Sequence, residues 1–525
     1  MSSIVICLCF YLAFASATTI SLWQLDQSYT IEEGYYPDAH VSASLDDKRI
    51  ETGWATLEIK AHPSMESNPS LPRLMGIAEG YLTSELIENH STNFDYVFNL
   101  YGTDVSKVRK AAMKLVMDNY DYLVHSIASN PSNSFWQEVD FSLRQIRGIH
   151  EGAQLNKATV SLDDLLLLNA MGDVMDLVQW QGDERFTPTI PLIMTTHCTL
   201  LAKILNDKLT LAHTTFAFYP FLTRIYKYYS VPYSRGMVEV QMSSYAGSVA
   251  SVDDFYVITS TTPNGQAHRV TVSETSLVLQ NATTAEKMTT NAVLTNLRTP
   301  VALRVAGASS VLIDNKFEAE VEMTSKFIEI MKIENSGSYN NQWVVARPLL
   351  KSLVIAEQVP GNYYVTNVDD LLLIDGYFGG VNIAYDRRAR SDLGYDELVK
   401  KEGDNWDYWR CPRSKIIRRD VHKVKSVDSL QKFMNYNDYK NDPLSKGSPS
   451  SAISARFDLD PKRGVCGGGY DSKISVGSEK VKVFLGVSQS SPSTPKFSFQ
   501  DWPDVVHIGI PDEFDWCPVE MKRIL

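Results

Sequence analysis

Cysteine is scarce, with six in 525 residues. That excludes a disulfide-built scaffold, so stability has to come from a buried core. The 44% hydrophobic content is enough to build one. No Cys-x-x-Cys pair occurs, which speaks against a thioredoxin-type site or a zinc ribbon. No Asp/His cluster stands at metal-ligand spacing, so no metal and no other cofactor is expected. Cys466-Gly467-Gly468-Gly469 lacks the Lys-Ser/Thr and the strand–helix setting of a phosphate loop. Basic residues are outnumbered, 50 against 62 acidic, for a net charge of −12, and no nucleic-acid partner is expected. Glycine (28) and proline (22) are ordinary, which rules out collagen-like and low-complexity classes. There is no internal repeat. Beyond the N-terminus no apolar run reaches the length of a membrane span, so no integral membrane anchor is expected.

What is present begins at the N-terminus. Residues 4–17 read IVICLCFYLAFASA, an apolar run ending in Ala15-Ser16-Ala17. This is the pattern of a signal peptide over 1–17, and the run is too short for a membrane helix. Cys7 and Cys9 leave with it, and Cys198, Cys411, Cys466 and Cys517 remain. Asn89-His90-Ser91 and Asn281-Ala282-Thr283 are glycosylation sequons. The expected destination is the secretory route, either outside the cell or the lysosomal lumen.

Apolar residues at 3–4 spacing predict a helix over 104–128, and Ser161 with Asp164 predicts a capped helix from 161 onward. After residue 185 the character changes. Strand-like stretches follow at 198–205, 208–215, 236–242, 255–260, 269–280 and 343–356. Residues 18–197 thus read as helix-rich and 198–525 as β-rich, together one large α+β globule.

The most informative stretch is 197–216, HCTLLAKILNDKLTLAHTTF. Asn206-Asp207 is a plausible two-residue hairpin turn. Leu200 then faces His213, and Cys198 faces Thr215. With period-two alternation, Cys198, His213 and Thr215 share one face at the open end of the hairpin, with opposed Cβ atoms about 5 Å apart. A cysteine beside a histidine is a candidate thiolate nucleophile. The plain alternative is a buried structural cysteine.

His197-Cys198-Thr199 followed by Ala212-His213-Thr214-Thr215 resembles the nucleophile region of the phospholipase B-like family. Other segments agree in order: Leu162-Asp163-Asp164 with Gly172-Asp173, Ser251 to Tyr256, Asn335 to Trp343, Glu357 to Gly361, Pro412 to Ile416, and Ala452 to Arg456. The resemblance implies the N-terminal nucleophile hydrolase fold, an αββα sandwich of two stacked, mainly antiparallel sheets between helix layers. It also implies cleavage between His197 and Cys198. The Cys198 thiol would then be the nucleophile and its new α-amine the general base. Attack on an ester or amide carbonyl would form a thioester that water hydrolyses.

Asn335, Asn340 or Asn341 would supply an oxyanion donor. His213 would orient the nucleophile or a polar group of the substrate, Thr215 would line the site, and Arg456 would meet a carboxylate or phosphate. For the asparagines a turn role, and for Arg456 a structural ion pair, are the alternatives. The sequence departs from the family pattern at Phe216, where Trp is expected, and at Cys466, where His is expected. Cys466 is thereby a possible disulfide partner of Cys411 or Cys517. The implied substrate is a lipid ester. An acyl amide or a short peptide stays open, as does a non-enzymatic lipid-binding glycoprotein.

Overall fold

A computed structural model describes residues 17–26, 28–98, 105–181, 198–461, 464–488 and 494–525. The signal-peptide reading and His197 fall outside these residues, apart from Ala17. Two sheets make the centre. The larger has eleven strands, and along it the order runs from Asn362–Asn367 at one edge to Ser28–Glu33 at the other. The smaller is built on the hairpin Cys198–Leu205 and Lys208–Phe218, extended by Asp471–Val476 and Lys480–Leu485 on one side and Tyr377–Gly380 on the other. Pairing is antiparallel except where Trp54–Ala61 runs parallel to Arg224–Tyr233. The sheets face each other, with the strand Ala267–Ser276 of the larger against Cys198–Leu205 of the smaller. Helices Leu71–Leu82, Thr295–Ser310 and Lys316–Lys332 pack on the larger sheet, and Val427–Met434 on the smaller. The fold is the expected α+β sandwich.

The part before residue 198 is more than helical. Thr18–Leu25, Ser28–Glu33, Val41–Lys48 and Trp54–Ala61 are strands of the larger sheet. Their alternation is blurred because inner positions carry Ser21, Ser42, Ser44 and Glu58, all buried. The predicted helix over 104–128 is Val105–Ser129. Ser161 and Asp164 form the reciprocal capping box, but the helix ends at Leu168. There Asn169 donates to the Leu165 and Gly247 carbonyls and accepts from the Val249 amide. A second helix, Met171–Gln181, follows. The stretch 343–356 is two strands, Asn341–Arg347 and Ser352–Val359, joined by a turn in which Lys351 has φ +47°. The stretch 269–280 stops pairing after Ser276.

The helices Leu71–Leu82 and Ser134–Leu155 touch backbone to backbone. A Cβ at Gly76 would sit 2.1 Å from the Gln145 carbonyl oxygen, and one at Gly152 2.1 Å from that of Ile77. Only glycine permits this approach.

Candidate active site

The hairpin has the register read from the sequence: Leu205 opposes Lys208, Leu200 opposes His213, and Cys198 opposes Thr215. Asn206 (φ +49°) and Asp207 (φ +67°) form the turn, a left-handed pair that these residue types tolerate. Cys198 is thus the first described residue of an inner strand, and its side chain faces the larger sheet. It is 1% exposed.

Three contacts hold its backbone and thiol. The Cys198 amide donates to Asn382 Oδ1 (3.2 Å). Arg413 Nη1 donates to the Cys198 carbonyl (2.5 Å) and to Asn382 Oδ1 (2.9 Å). The thiol lies 3.8 Å from Glu274 Oε1, on the facing sheet. Asn341, with its amide turned to suit its neighbours, donates to Glu274 Oε2 (2.9 Å). Tyr339 Oη lies 3.5 Å from Glu274 Oε1.

Among the described residues no cation contacts this carboxyl directly. Burial, reinforced by Asp254, pushes Glu274 well above the usual carboxylate range. Burial and then Glu274 push the Cys198 thiol up as well. His213 is fully buried on the same hairpin face. Neither ring nitrogen makes a well-formed hydrogen bond among the described residues, and the polar group nearest the ring is the Glu274 backbone. Burial, and then the Lys473 ammonium, push its imidazole well below its ordinary range.

Thr215 joins a second cluster. Its hydroxyl donates to Asp253 Oδ2 (2.7 Å) and accepts from Lys473 Nζ (2.5 Å), and its amide donates to Asp471 Oδ1 (2.8 Å). Arg224 Nη2 donates to Asp253 Oδ2 (2.6 Å), and the guanidinium lies 4.3 Å from the Tyr245 ring centre. Burial alone would raise Asp253, but Arg224 and Lys473 hold it well below the usual range. Two cations and two carboxylates balance here.

A cavity of about 170 Å³ opens onto Cys198, Thr215, Asp253 and Glu274. Its apolar wall includes Met171, Met175, Phe216, Phe218, Phe221 and Leu277. Asp176, on the same wall, is pushed up to about 7 by burial. An apolar pocket with a few converging polar groups of shifted acidity is what a small-ligand or acyl-chain site requires. Another concave surface, about 640 Å³, lies between Val427–Met434 and the C-terminal segment and holds none of the residues named from the sequence.

Of those residues, Cys198, Thr215 and Asn340 line the cavity, while His213 and Asn341 stand behind its wall, against Cys198 and Glu274. Asn335 does not join them. Its Oδ1 accepts from Arg298 Nη2 (3.1 Å) and the Gly337 amide (3.0 Å), which makes it a turn residue. Asn340 Nδ2 closes the same turn onto the Gly337 carbonyl (2.7 Å). Arg456 is also elsewhere. Its guanidinium is spent on Asp458 (2.7 and 2.8 Å) and on the Ser488 and Pro495 carbonyls. Phe216 keeps the expected apolar wall. Cys411 and Cys466 are buried free thiols, so Cys466 takes part in no disulfide. Asn89 lies on the helix Ser84–Phe98, and Asn281 caps Ala282–Ala285.

Sequence reading missed Glu274, Tyr339, Asn382, Arg413 and Lys473. Glu274 carried a signal, a carboxylate at an inward position of the strand Ala267–Ser276. Asp253, Tyr339 and Arg413 sat inside recognised segments without an assigned role.

A thiol buried on an inner strand of an α+β sandwich, beside an apolar cavity with a few polar groups, makes a candidate site for a small apolar ligand or acyl chain. Comparison with known proteins narrows it. The Phospholipase B family model matches residues 41–521. The chain is 28% identical to a Crotalus adamanteus protein named Phospholipase B, over 94% of this chain and 88% of that one. It is 28% identical to Phospholipase B-like 1 of Rattus norvegicus (90% and 86%) and 27% identical to Phospholipase B-like protein E of Dictyostelium discoideum (96% and 94%). The chain belongs to the phospholipase B family. Among the described residues no helix is long and apolar enough to cross a membrane.

Proposed function

We propose that this chain is a lipid acyl hydrolase whose nucleophile is the Cys198 thiol, exposed by cleavage between His197 and Cys198. The observation that carries the reading is the set of contacts on Cys198. Its amide nitrogen already has a buried acceptor in Asn382 and its carbonyl a donor in Arg413, so a freed α-amine would stay beside its own thiol. That amine, with an ordinary pKa near 8, takes the thiol proton. The thiolate attacks the ester carbonyl, the carbonyl π-electrons pass to oxygen, and collapse expels the alcohol, which leaves with the proton. Water then cleaves the thioester and restores the thiol. The cavity's Met and Phe wall suits an acyl chain, and Asn340 is the asparagine placed to donate to the oxyanion once its amide leaves the Gly337 carbonyl.

Residues 18–197 and 198–525 remain one globule after cleavage, supported by the parallel pairing of Trp54–Ala61 with Arg224–Tyr233. The signal-like N-terminus, the sequons at Asn89 and Asn281, and buried carboxyls that prefer acid support a secreted or lysosomal setting.

N-terminal sequencing of mature protein is expected to find a chain beginning at Cys198. Cys198→Ala is expected to stay uncleaved and to release no fatty acid from a diacyl phospholipid. A wild-type protein that remains one chain at acid pH and traps no thioester overturns the reading. Release from N-acyl amides but not from esters would redirect it to an amidase.

A further inference from the structure

We propose that Cys198, His213 and Glu274 form a binding site for a zinc-class divalent ion, and that its occupation silences the nucleophile. One ligand atom from each lies within 4.8 Å of the other two, and all three side chains are buried. They come from facing sheets, Cys198 and His213 from the hairpin and Glu274 from the strand Ala267–Ser276.

The Cys198 Sγ to Glu274 Oε1 distance is 3.8 Å. A tetrahedral zinc site, with bonds of about 2.3 Å to sulfur and about 2.0–2.2 Å to oxygen or nitrogen, needs roughly 3.5 Å between such ligands. A small inward shift of the His213 ring completes three positions. Neither nitrogen of this fully buried ring makes a well-formed hydrogen bond; the nearest polar group is the Glu274 backbone, which leaves a ring nitrogen available to a metal.

The surroundings support the ligand roles. The Asn341 amide on Glu274 Oε2 leaves Oε1 turned toward the thiol, as an outer-shell donor does for a ligating carboxylate. Lys473 Nζ is engaged by Thr215, Asp253 and Asp471, and Arg413 by the Cys198 carbonyl and Asn382, rather than by these three side chains. The fourth position opens toward the cavity, which reaches Cys198 and Glu274. Water fills it in the precursor, and in a cleaved chain the Cys198 α-amine would close a five-membered N,S chelate. Thiolate with imidazole and carboxylate selects zinc over magnesium or calcium. On binding, the thiol and the Glu274 carboxyl each release a proton to solvent, and a sulfur lone pair and a carboxylate oxygen lone pair pass to the metal, so the sulfur is no longer free to attack a carbonyl. This last consequence rests on Cys198 being the nucleophile, whereas the metal site itself does not.

Cobalt(II) titration of the full-length protein, before and after any maturation, tests the site. The expected result is one cobalt per chain, with a thiolate-to-cobalt charge-transfer band that zinc displaces. Cys198→Ser should abolish the band, while His213→Ala and Glu274→Gln should each weaken binding tenfold or more. Cys466→Ala, in a second hydrophobic cluster with Trp54, Tyr219 and Phe497, should leave it intact. Circular dichroism and thermal unfolding establish that each variant is folded. A band that survives Cys198→Ser, unchanged affinity in both folded His213 and Glu274 variants, or no cobalt bound by folded wild type overturns the proposal. Metal binding without chain cleavage or lipolysis would sink the hydrolase reading and leave the site standing. Lipolysis indifferent to zinc, with no cobalt band, would do the reverse.

Discussion

Two buried polar clusters lie side by side between the sheets, and they are built on opposite principles. Around Thr215, two cations (Arg224, Lys473) meet two carboxylates (Asp253, Asp471), and every close contact is a charge-assisted hydrogen bond. Around the Cys198 thiol and Glu274 no described cation makes direct side-chain contact, and Arg413 meets Cys198 at its backbone carbonyl. A thiol, an imidazole with no well-formed hydrogen bond and a carboxyl without a cation partner sit within reach of one another. The first cluster holds its charges by pairing them. The second is kept neutral by burial, because an unpaired charge in a low-dielectric interior costs more than its proton. Compensation marks scaffold. Its absence beside an apolar cavity marks a place where chemistry has been left to a substrate, a metal or a new amine.

The largest expected effect is at the thiol. Cys198→Ala should lower lipid hydrolysis by about 10⁴-fold or more, measured as released fatty acid, while barely moving the unfolding midpoint. Next comes the paired cluster. Lys473→Met removes one of the two cations and leaves two carboxylates facing Arg224 alone, so urea unfolding should show a loss of about 3–5 kcal/mol. If stability stays within about 1 kcal/mol, the pairing does not hold the sheets together and the comparison breaks.

A smaller effect should appear in the pH dependence of stability. Burial raises Asp176 from 3.8 to about 7. Between those values the folded protein keeps a proton that the unfolded chain has lost, so this group's contribution is full at acid pH and fades as pH climbs to about 7. Relative to wild type, Asp176→Asn should therefore gain about 2 kcal/mol from pH 5 to pH 7. Equal slopes in the two proteins would show Asp176 ionised throughout.

The smallest shift sharpens the contrast with Lys473. Glu274→Gln replaces a neutral carboxyl by a neutral amide of the same shape, so thermal unfolding should move by less than about 1 kcal/mol. A loss as large as that of Lys473→Met would mean that Glu274 carries a charge after all.

Legibility from sequence followed range. The hairpin was legible to the residue, since its register needs only a two-residue turn and period-two alternation over 198–215. The capped helix at Ser161 was legible too, for capping is a three-residue affair. The four N-terminal strands were not, because their buried positions carry Ser21, Ser42 and Ser44, which pair with neighbouring strands and the turn at Gly34, and Glu58, whose partners lie at the far end of the chain. For Asn335, Asn340 and Asn341 the residue type suited both a turn and an oxyanion donor. Only placement separated Asn335, bound to Arg298, from Asn341, turned onto Glu274. Arg456 failed as a site residue for the same reason, since its partner Asp458 is two positions away and its other acceptors are some 32–39 positions downstream.

By itself the sequence determined that Cys198, His213 and Thr215 share a face, because neighbours on a hairpin are set by local stereochemistry. It also determined the family, through segments whose order survives at low identity. Tertiary structure alone decided that Glu274 stands across from the thiol, 76 residues along the chain, that Asn382 and Arg413 grip the Cys198 backbone, and that no described cation reaches this carboxyl. Metal-ligand spacing was absent from the sequence because the three candidate ligands belong to two sheets. Stacking those sheets, driven by burial of their apolar faces, is what brings them within one coordination sphere.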